Sequence, residues 1–146
     1  LHFLFMGDLG PEDRELLDAL DCPVTVLRQR RKAHALAVMR ACDALLLLTS
    51  DRRSVATGKL FDYLAVGGRI LHLSMTDNEA ARLLHETGAA HVAVNASARA
   101  MSEADWLRLL DLAPAATSRL EAWSKAAQGA QLQELLLRTA AEADFH

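Results

Sequence analysis

An apolar run at 44–48 (ALLLL) passes through Thr49 and Ser50 into a polar loop and then Thr57-Gly58-Lys59. Helical spacing takes over from Leu60, whose period-3.6 face includes Phe61, Leu64 and Ala65. Gly67-Gly68 stops that helix, because glycine takes the left-handed conformation beyond a helix end without penalty. Ile70-Leu71-His72-Leu73 then opens a second strand. Strand, loop, helix and strand in that order require a parallel pair joined by a crossover.

The same alternation runs through the chain. Residues 1–6 form an apolar run with one histidine, expected to be a central parallel strand buried on both faces. Gly7-Asp8-Leu9-Gly10 is turn chemistry, and Pro11 suits a first helical position, with Glu12 and Asp13 in its positive first turn. Leu16, Leu17 and Leu20 are expected to make the buried face of that helix. A short strand follows at 24–27, then a helix over about 33–41 with Leu36, Val38, Met39 and Cys42 as its apolar residues.

Further on, Asp77 or Asn78 is expected to cap a helix that packs Ala80, Leu83 and Leu84 inward and ends at Gly88. A last short strand lies at 91–94. Ser102 and Asp105 make a capping-box-like opening to a helix whose expected buried side is Leu107 and Leu110. Two closing helices are expected over about 115–143. The whole predicts an α/β fold with a Rossmann-like parallel sheet sandwiched by helices, as one domain over 1–146. The abrupt first strand, without an initiating Met, is expected to belong to a domain cut from a longer protein.

Composition excludes several classes of function. A net charge of −3 leaves no electrostatic footprint for nucleic acid. Cys22 and Cys42 are too few for a disulfide framework and point to a reducing, cytoplasmic compartment. No apolar run approaches the ~18 residues of a membrane span. The six histidines make no metal spacing, and there is no GxSxG elbow, Walker A or GxGxxG pattern. His2 and His72, within apolar strands, are expected to be hydrogen-bonded core or rim residues, and Trp106 and Trp123 packing anchors.

What remains is the loop-to-helix junction. In open parallel sheets ligands sit beyond the carboxyl ends of the strands, where helix N-termini attract anions. Thr57-Gly58-Lys59 offers a hydroxyl, an approachable backbone and a cation, and Asp62 adds a carboxylate one turn later. On spacing alone the plainer reading is favoured, with Gly58 an N-cap and Lys59 with Asp62 a surface pair. The basic run Arg28-Gln29-Arg30-Arg31-Lys32, at a strand's carboxyl end, is either part of a phosphate site or a solvated loop.

Three segments carry a family resemblance: 34–50 (HALAVMRACDALLLLTS), 57–65 (TGKLFDYLA) and 69–71 (RIL), with 79–89 (EAARLLHETGA) in support. Together they resemble the donor-binding half of group 1 (family 4) glycosyltransferases of the GT-B fold. The resemblance implies a nucleoside-diphosphate sugar as donor substrate and an N-terminal acceptor-binding domain in the same protein. It implies no metal, no other cofactor and a cytoplasmic place, with a peripheral position at the inner membrane face as a variant for the full-length enzyme.

By the same resemblance Asp62 meets the ribose hydroxyls, and the backbone of Thr57, Gly58, Lys59 and Leu60, with Ser50 nearby, meets the diphosphate. Gly7 and Asp8 lie beside the phosphates, and Arg28 and Gln29 near the base. The family's E-x7-E pair is replaced here by Ser54 and Asp62, and acidic Asp8 and Asp13 stand where basic residues often follow the first strand. Alternatives on the same fold are a nucleotide-sugar epimerase or phosphorylase, or a non-catalytic module that binds a small ligand or a partner protein.

Overall fold

The computed structural model describes residues 1–49 and 58–114, with 126, 129, 130, 133 and 134. The described chain is α/β, with parallel strands in two sheets flanked by helices, a Rossmann-like arrangement. It divides into two compact units, Leu1–Ala41 and Cys42–His146.

The first unit runs β1 (Phe3–Met6), α1 (Pro11–Asp18), β2 (Val24–Leu27) and α2 (Lys32–Ala41). The strands pair in parallel from Phe3 opposite Val24 to Met6 opposite Leu27. The Phe3 N–H donates to the Pro23 carbonyl at 2.9 Å, and Gly7 N–H to that of Leu27 at 3.0 Å, extending the ladder at both ends. Phe3 and Phe5 meet on one face, their rings tilted by 41° with centroids 6.2 Å apart. The expected central strand, buried on both faces, is corrected here. β1 pairs with β2 in a two-stranded sheet, and none of its residues is buried. Two strands and two short helices carry too little apolar surface to seal both faces.

The buried face expected for α1 is corrected as well. Leu17 is half-buried, whereas Leu16 is 70% exposed and Leu20 is also exposed. Leu20 lies past the C-cap at Ala19, off the helix. Leu16 and Leu17 are ~100° apart around the axis, so only one of them faces inward. Pro11 does open the helix, and the Asp13 carboxylate accepts the Gly10 N–H at 3.1 Å.

The second unit holds β3 (Leu45–Thr49), α3 (Gly58–Val66), β4 (Ile70–Ser74), α4 (Glu79–Glu86), β5 (His91–Asn95) and α5 (Glu103–Asp111). Its sheet has the order β3-β4-β5, all parallel and without a register break. Pleating sends alternate residues to opposite faces. Leu47 and Ile70 face Leu60 and Leu64 of α3 and Ala80, Leu83 and Leu84 of α4. Leu71, Val92 and Val94 face Leu109 of α5 on the other side. Three layers result, with α3 and α4 below the sheet and α5 above it.

Local chemistry sets each helix. Gly67 takes φ +73° beyond α3, its N–H donating to the Tyr63 and Leu64 carbonyls. A Cβ on Gly68 would meet Leu45 Cδ1 at 3.3 Å, so the chain passes tightly under β3. Asn78 caps α4 by accepting the Ala81 N–H, and Gly88 at φ +63° follows the Thr87 C-cap. Within α3, Phe61 and Ala65 are exposed. Tyr63 takes the inner place instead, donating from its hydroxyl to the Leu46 carbonyl at 3.1 Å.

For α5 the expected Leu107 and Leu110 face is corrected. They are 62% and 48% exposed, and the inner side is Asp105, Trp106, Leu109 and Leu112. The Asp105 carboxylate fixes this rotation. It accepts from Ser102 N at 2.9 Å, Ser102 Oγ at 2.7 Å and Arg99 Nη1 and Nη2 at 2.6 and 2.8 Å. The Arg99 guanidinium, then the Ser102 donors, hold its carboxyl well below the usual carboxylate range. Leu109 lies one turn from Asp105 and shares its side, while Leu107, two residues on, points ~200° away. Arg69 Nε donates to the Leu112 carbonyl at 2.7 Å and ties the end of α5 to the start of β4.

Leu60 and Leu16 test this division of burial. Leu60 is fully buried in a cluster of seven core residues, itself included, so Leu60→Ala should destabilise by about 2–5 kcal/mol. Exposed Leu16→Ala should cost under about 0.5 kcal/mol. Urea unfolding of both variants gives the comparison. Equal midpoints would contradict the assignment of the core.

Candidate functional site

β3, β4 and β5 each run one residue beyond their apolar stretch, to Thr49, Ser74 and Asn95. Those three are paired in register and share a face, so the carboxyl edge of the sheet ends in a polar row. Thr49 was expected at the end of its strand, whereas Ser74 and Asn95 were missed because apolar patterning closes a strand at the last apolar residue.

Behind the row lies a buried imidazole. His72 is 0% exposed in the middle of β4. Its Nε2 lies 2.8 Å from Thr49 Oγ1, and Asn78 Nδ2 donates to that same oxygen at 2.8 Å. Asn78 thereby caps α4 with its carbonyl oxygen and reaches β3 with its amide. His72 Nδ1 has no hydrogen-bond partner among the described residues. Burial, followed by neighbouring His91, pushes its pKa below the ordinary value of 6.5. The ring is therefore neutral near pH 7, and its place is that of a hydrogen-bonded core residue. His2 is also hydrogen-bonded, to Thr25 Oγ1 at 2.9 Å, at the surface of the first unit.

The expected donor residues of the second unit lie on α3. Gly58 and Lys59 are exposed at its first turn, and open space surrounds the position of a Cβ on Gly58. Leu60 is 0% exposed in the core, which leaves its backbone rather than its side chain for any ligand. Asp62 is half-buried one turn further on. Ser50 and Thr57 lie outside the described residues, as do Ser54, Trp123 and most of the expected closing helices.

In the first unit the structure gathers Gly7 and Asp8 with Arg28 around one pocket of about 300 Å³. Leu9 and Val26 form its apolar lining, and Arg14 completes it. Gln29 is exposed next to Arg28 and does not line the pocket. Gly7 has φ +146°, a backbone region that favours glycine, and its surroundings are open to close approach. Arg14 was not singled out from the sequence. Its signal is positional, one turn into a helix that starts just after the β1 loop.

At the positive end of α1, Pro11 has no N–H, the Gly10 N–H is donated to Asp13, and Glu12 adds a second carboxylate. Attraction for an anion in this pocket comes from the two guanidinium groups. Arg presents a planar fork of donors suited to phosphate. Asp8, Arg14 and Arg28 make no ion pair among the described residues.

Other reactive groups are muted. Burial and then Asp43 raise the pKa of Cys42, which holds it as a thiol. Burial, then Cys42 and Asp62, raises that of Tyr63. Among the described residues no three His, Cys, Asp or Glu side chains group to hold a metal ion, and no helix is long and apolar enough to cross a membrane. Compared with models of protein families, with curated proteins and with solved structures, the chain matches none.

The lowered pKa of His72 gives a pH dependence with a definite sign. Above about pH 6.5 the ring is neutral both folded and unfolded, and its buried place contributes its full stability. As pH falls from 6.5 toward the lower folded value, the unfolded chain takes up a proton that the folded chain does not, and stability is lost. Thermal melting between pH 8 and pH 5 should show a decline below 6.5 that is shallower in His72→Asn. An identical slope in the variant would exclude His72 as its source.

Proposed function

We propose that the chain binds a nucleoside-diphosphate sugar, as the donor-binding half of a GT-B glycosyltransferase. Glycosyl transfer to an acceptor would be made together with an acceptor-binding half. The observation that carries the proposal is the pocket after β1 and β2, where two arginines flank an unobstructed glycine backbone. The resemblance of segments 34–50 and 57–65 supplies the ligand class. Cys22 and Cys42, which form no disulfide, suit a reducing, cytoplasmic setting.

At about 300 Å³ the pocket is at the lower limit of ligand sites, roughly 300–1,000 Å³. It accommodates the phosphate portion of such a donor and not the whole molecule. Chemistry would rest on position and on stabilising the departing diphosphate by guanidinium and backbone N–H donors. With cations in that role, binding needs no divalent metal.

Titration calorimetry against UDP-, GDP-, ADP- and TDP-sugars, with and without EDTA, tests the proposal. Binding of one of them should persist in EDTA and weaken with rising salt, because the arginines are exposed. Arg28→Ala should weaken it about tenfold or more, the loss expected of a charge-assisted hydrogen bond. A strict magnesium requirement would contradict the cation-only account. Failure of every nucleotide sugar to bind would leave a different small-ligand or partner-binding module.

Asp62 is proposed as the acceptor for the ribose 2′- and 3′-hydroxyls. Hydrogen bonds to a charged acceptor contribute about 1.5–3 kcal/mol, so Asp62→Ala should lose roughly ten- to a hundred-fold in affinity, and Asp62→Asn less. Wild type should prefer a ribo- to a 2′-deoxyribonucleotide, and Asp62→Ala should bind both alike. A mutant that kept the full preference would exclude this role.

A further inference from the structure

The first-unit pocket holds a carboxylate where a plain anion site would have none. Asp8 lines it together with Arg14 and Arg28, and all three side chains are exposed. None of the three is neutralised by a partner among the described residues. Their charges are therefore presented to whatever enters. Two cations recruit a phosphoryl group, while the anion repels any phosphate oxygen placed against it. A ligand satisfies all three only if a hydrogen-bond donor stands close to its phosphate. A hydroxyl on a sugar carbon near a phosphate ester has that spacing. Leu9 and Val26 add an apolar flank, suited to the C–H face of such a ring.

We propose that Asp8 is a specificity-determining residue, which selects phosphate esters of sugars over free phosphate by accepting a hydrogen bond from a sugar hydroxyl. Arg14 and Arg28 hold the phosphoryl oxygens. This rests on the donor-binding role proposed above only in taking the sugar phosphate to be part of a nucleotide sugar. The pocket's size agrees, since it takes a sugar phosphate more readily than a whole nucleotide sugar.

The full chain is titrated with glucose 1-phosphate and with inorganic phosphate at one pH and ionic strength. Wild type should bind the ester about tenfold more tightly, the value of a hydrogen bond to a charged acceptor. Asp8→Asn keeps the shape but removes the charge. It should bind inorganic phosphate more tightly than wild type does and lose most of the preference for the ester. Arg14→Gln should weaken both probes and leave their ratio intact. Circular dichroism confirms that each variant is folded.

Asp8→Asn retaining the wild-type preference overturns the proposal, and so does wild type binding neither probe or binding both equally. A parallel titration with UDP-, GDP-, ADP- and TDP-sugars separates the two levels. If none of these nucleotide sugars binds while the ester preference stands, the donor role fails and Asp8 selectivity survives. If a nucleotide sugar binds but Asp8→Asn changes no preference, the donor role survives and Asp8 selectivity fails.

Discussion

Parallel pairing of β3, β4 and β5 is the constraint on which the second unit depends. Two parallel strands cannot be joined by a tight turn, so each pair needs a connection that returns the chain to the same end of the sheet. α3 and α4 lie on those connections, and both pack on the face that carries Leu47 and Ile70. With one face taken, the apolar side chains of the other, Leu71, Val92 and Val94, are left for α5. Side-chain alternation then does the rest. A shift of one residue in any strand would exchange the two faces and bury the wrong set.

The same register accounts for the buried imidazole. His72 lies opposite Leu47 and Ala93 on the α3/α4 face, so a polar ring is unavoidably enclosed by the pairing that builds the core. Thr49, two residues beyond Leu47 on the same face, meets one ring nitrogen, and Asn78 at the head of α4 closes the chain of hydrogen bonds. A buried polar group left unpaired costs about 1–3 kcal/mol, so these contacts also hold β3, β4 and α4 in one arrangement. The polar row at the sheet edge and the polar group inside it are two products of one alignment.

Much of this was legible in the sequence because local rules and tertiary demands agreed. Asn78 and Ser102 cap their helices, Gly67 and Gly88 end theirs, and Leu60, Leu64, Leu83 and Leu84 turn inward at helical spacing. Illegible features arose where the rotation of a helix was set by something other than its apolar residues. Asp105, drawn inward by Arg99 and Ser102, turned Leu107 and Leu110 to solvent. Leu16 lost its place to its neighbour Leu17 on a helix of only eight residues. The ends of β4 and β5 were set one residue short for a related reason, since backbone pairing continues through Ser74 and Asn95 regardless of polarity. Of the candidate site, Gly7, Asp8 and Arg28 were named from the sequence, but a residue such as Arg14 reaches the same pocket only through the fold.

Asp105 with Arg99, and Asp8 with Arg14 and Arg28, are carboxylate–arginine neighbourhoods whose charges are answered differently. Asp105 is buried and receives four hydrogen bonds, from the Arg99 guanidinium, the Ser102 hydroxyl and the Ser102 N–H. Its charge is wholly answered inside the protein, and it has nothing left to offer a ligand. Asp8, Arg14 and Arg28 are exposed around one concavity and unanswered there by any described residue. Folding gains little by bringing such groups together, because exposed charges interact weakly through water. Their shared pocket becomes energetically consequential when a ligand displaces that water and lowers the local dielectric, since each charge then acts more strongly on the groups it faces. The physical difference between the two places is the presence of a partner for the carboxylate, and that difference is what supports the proposal of ligand binding at the pocket rather than at Asp105.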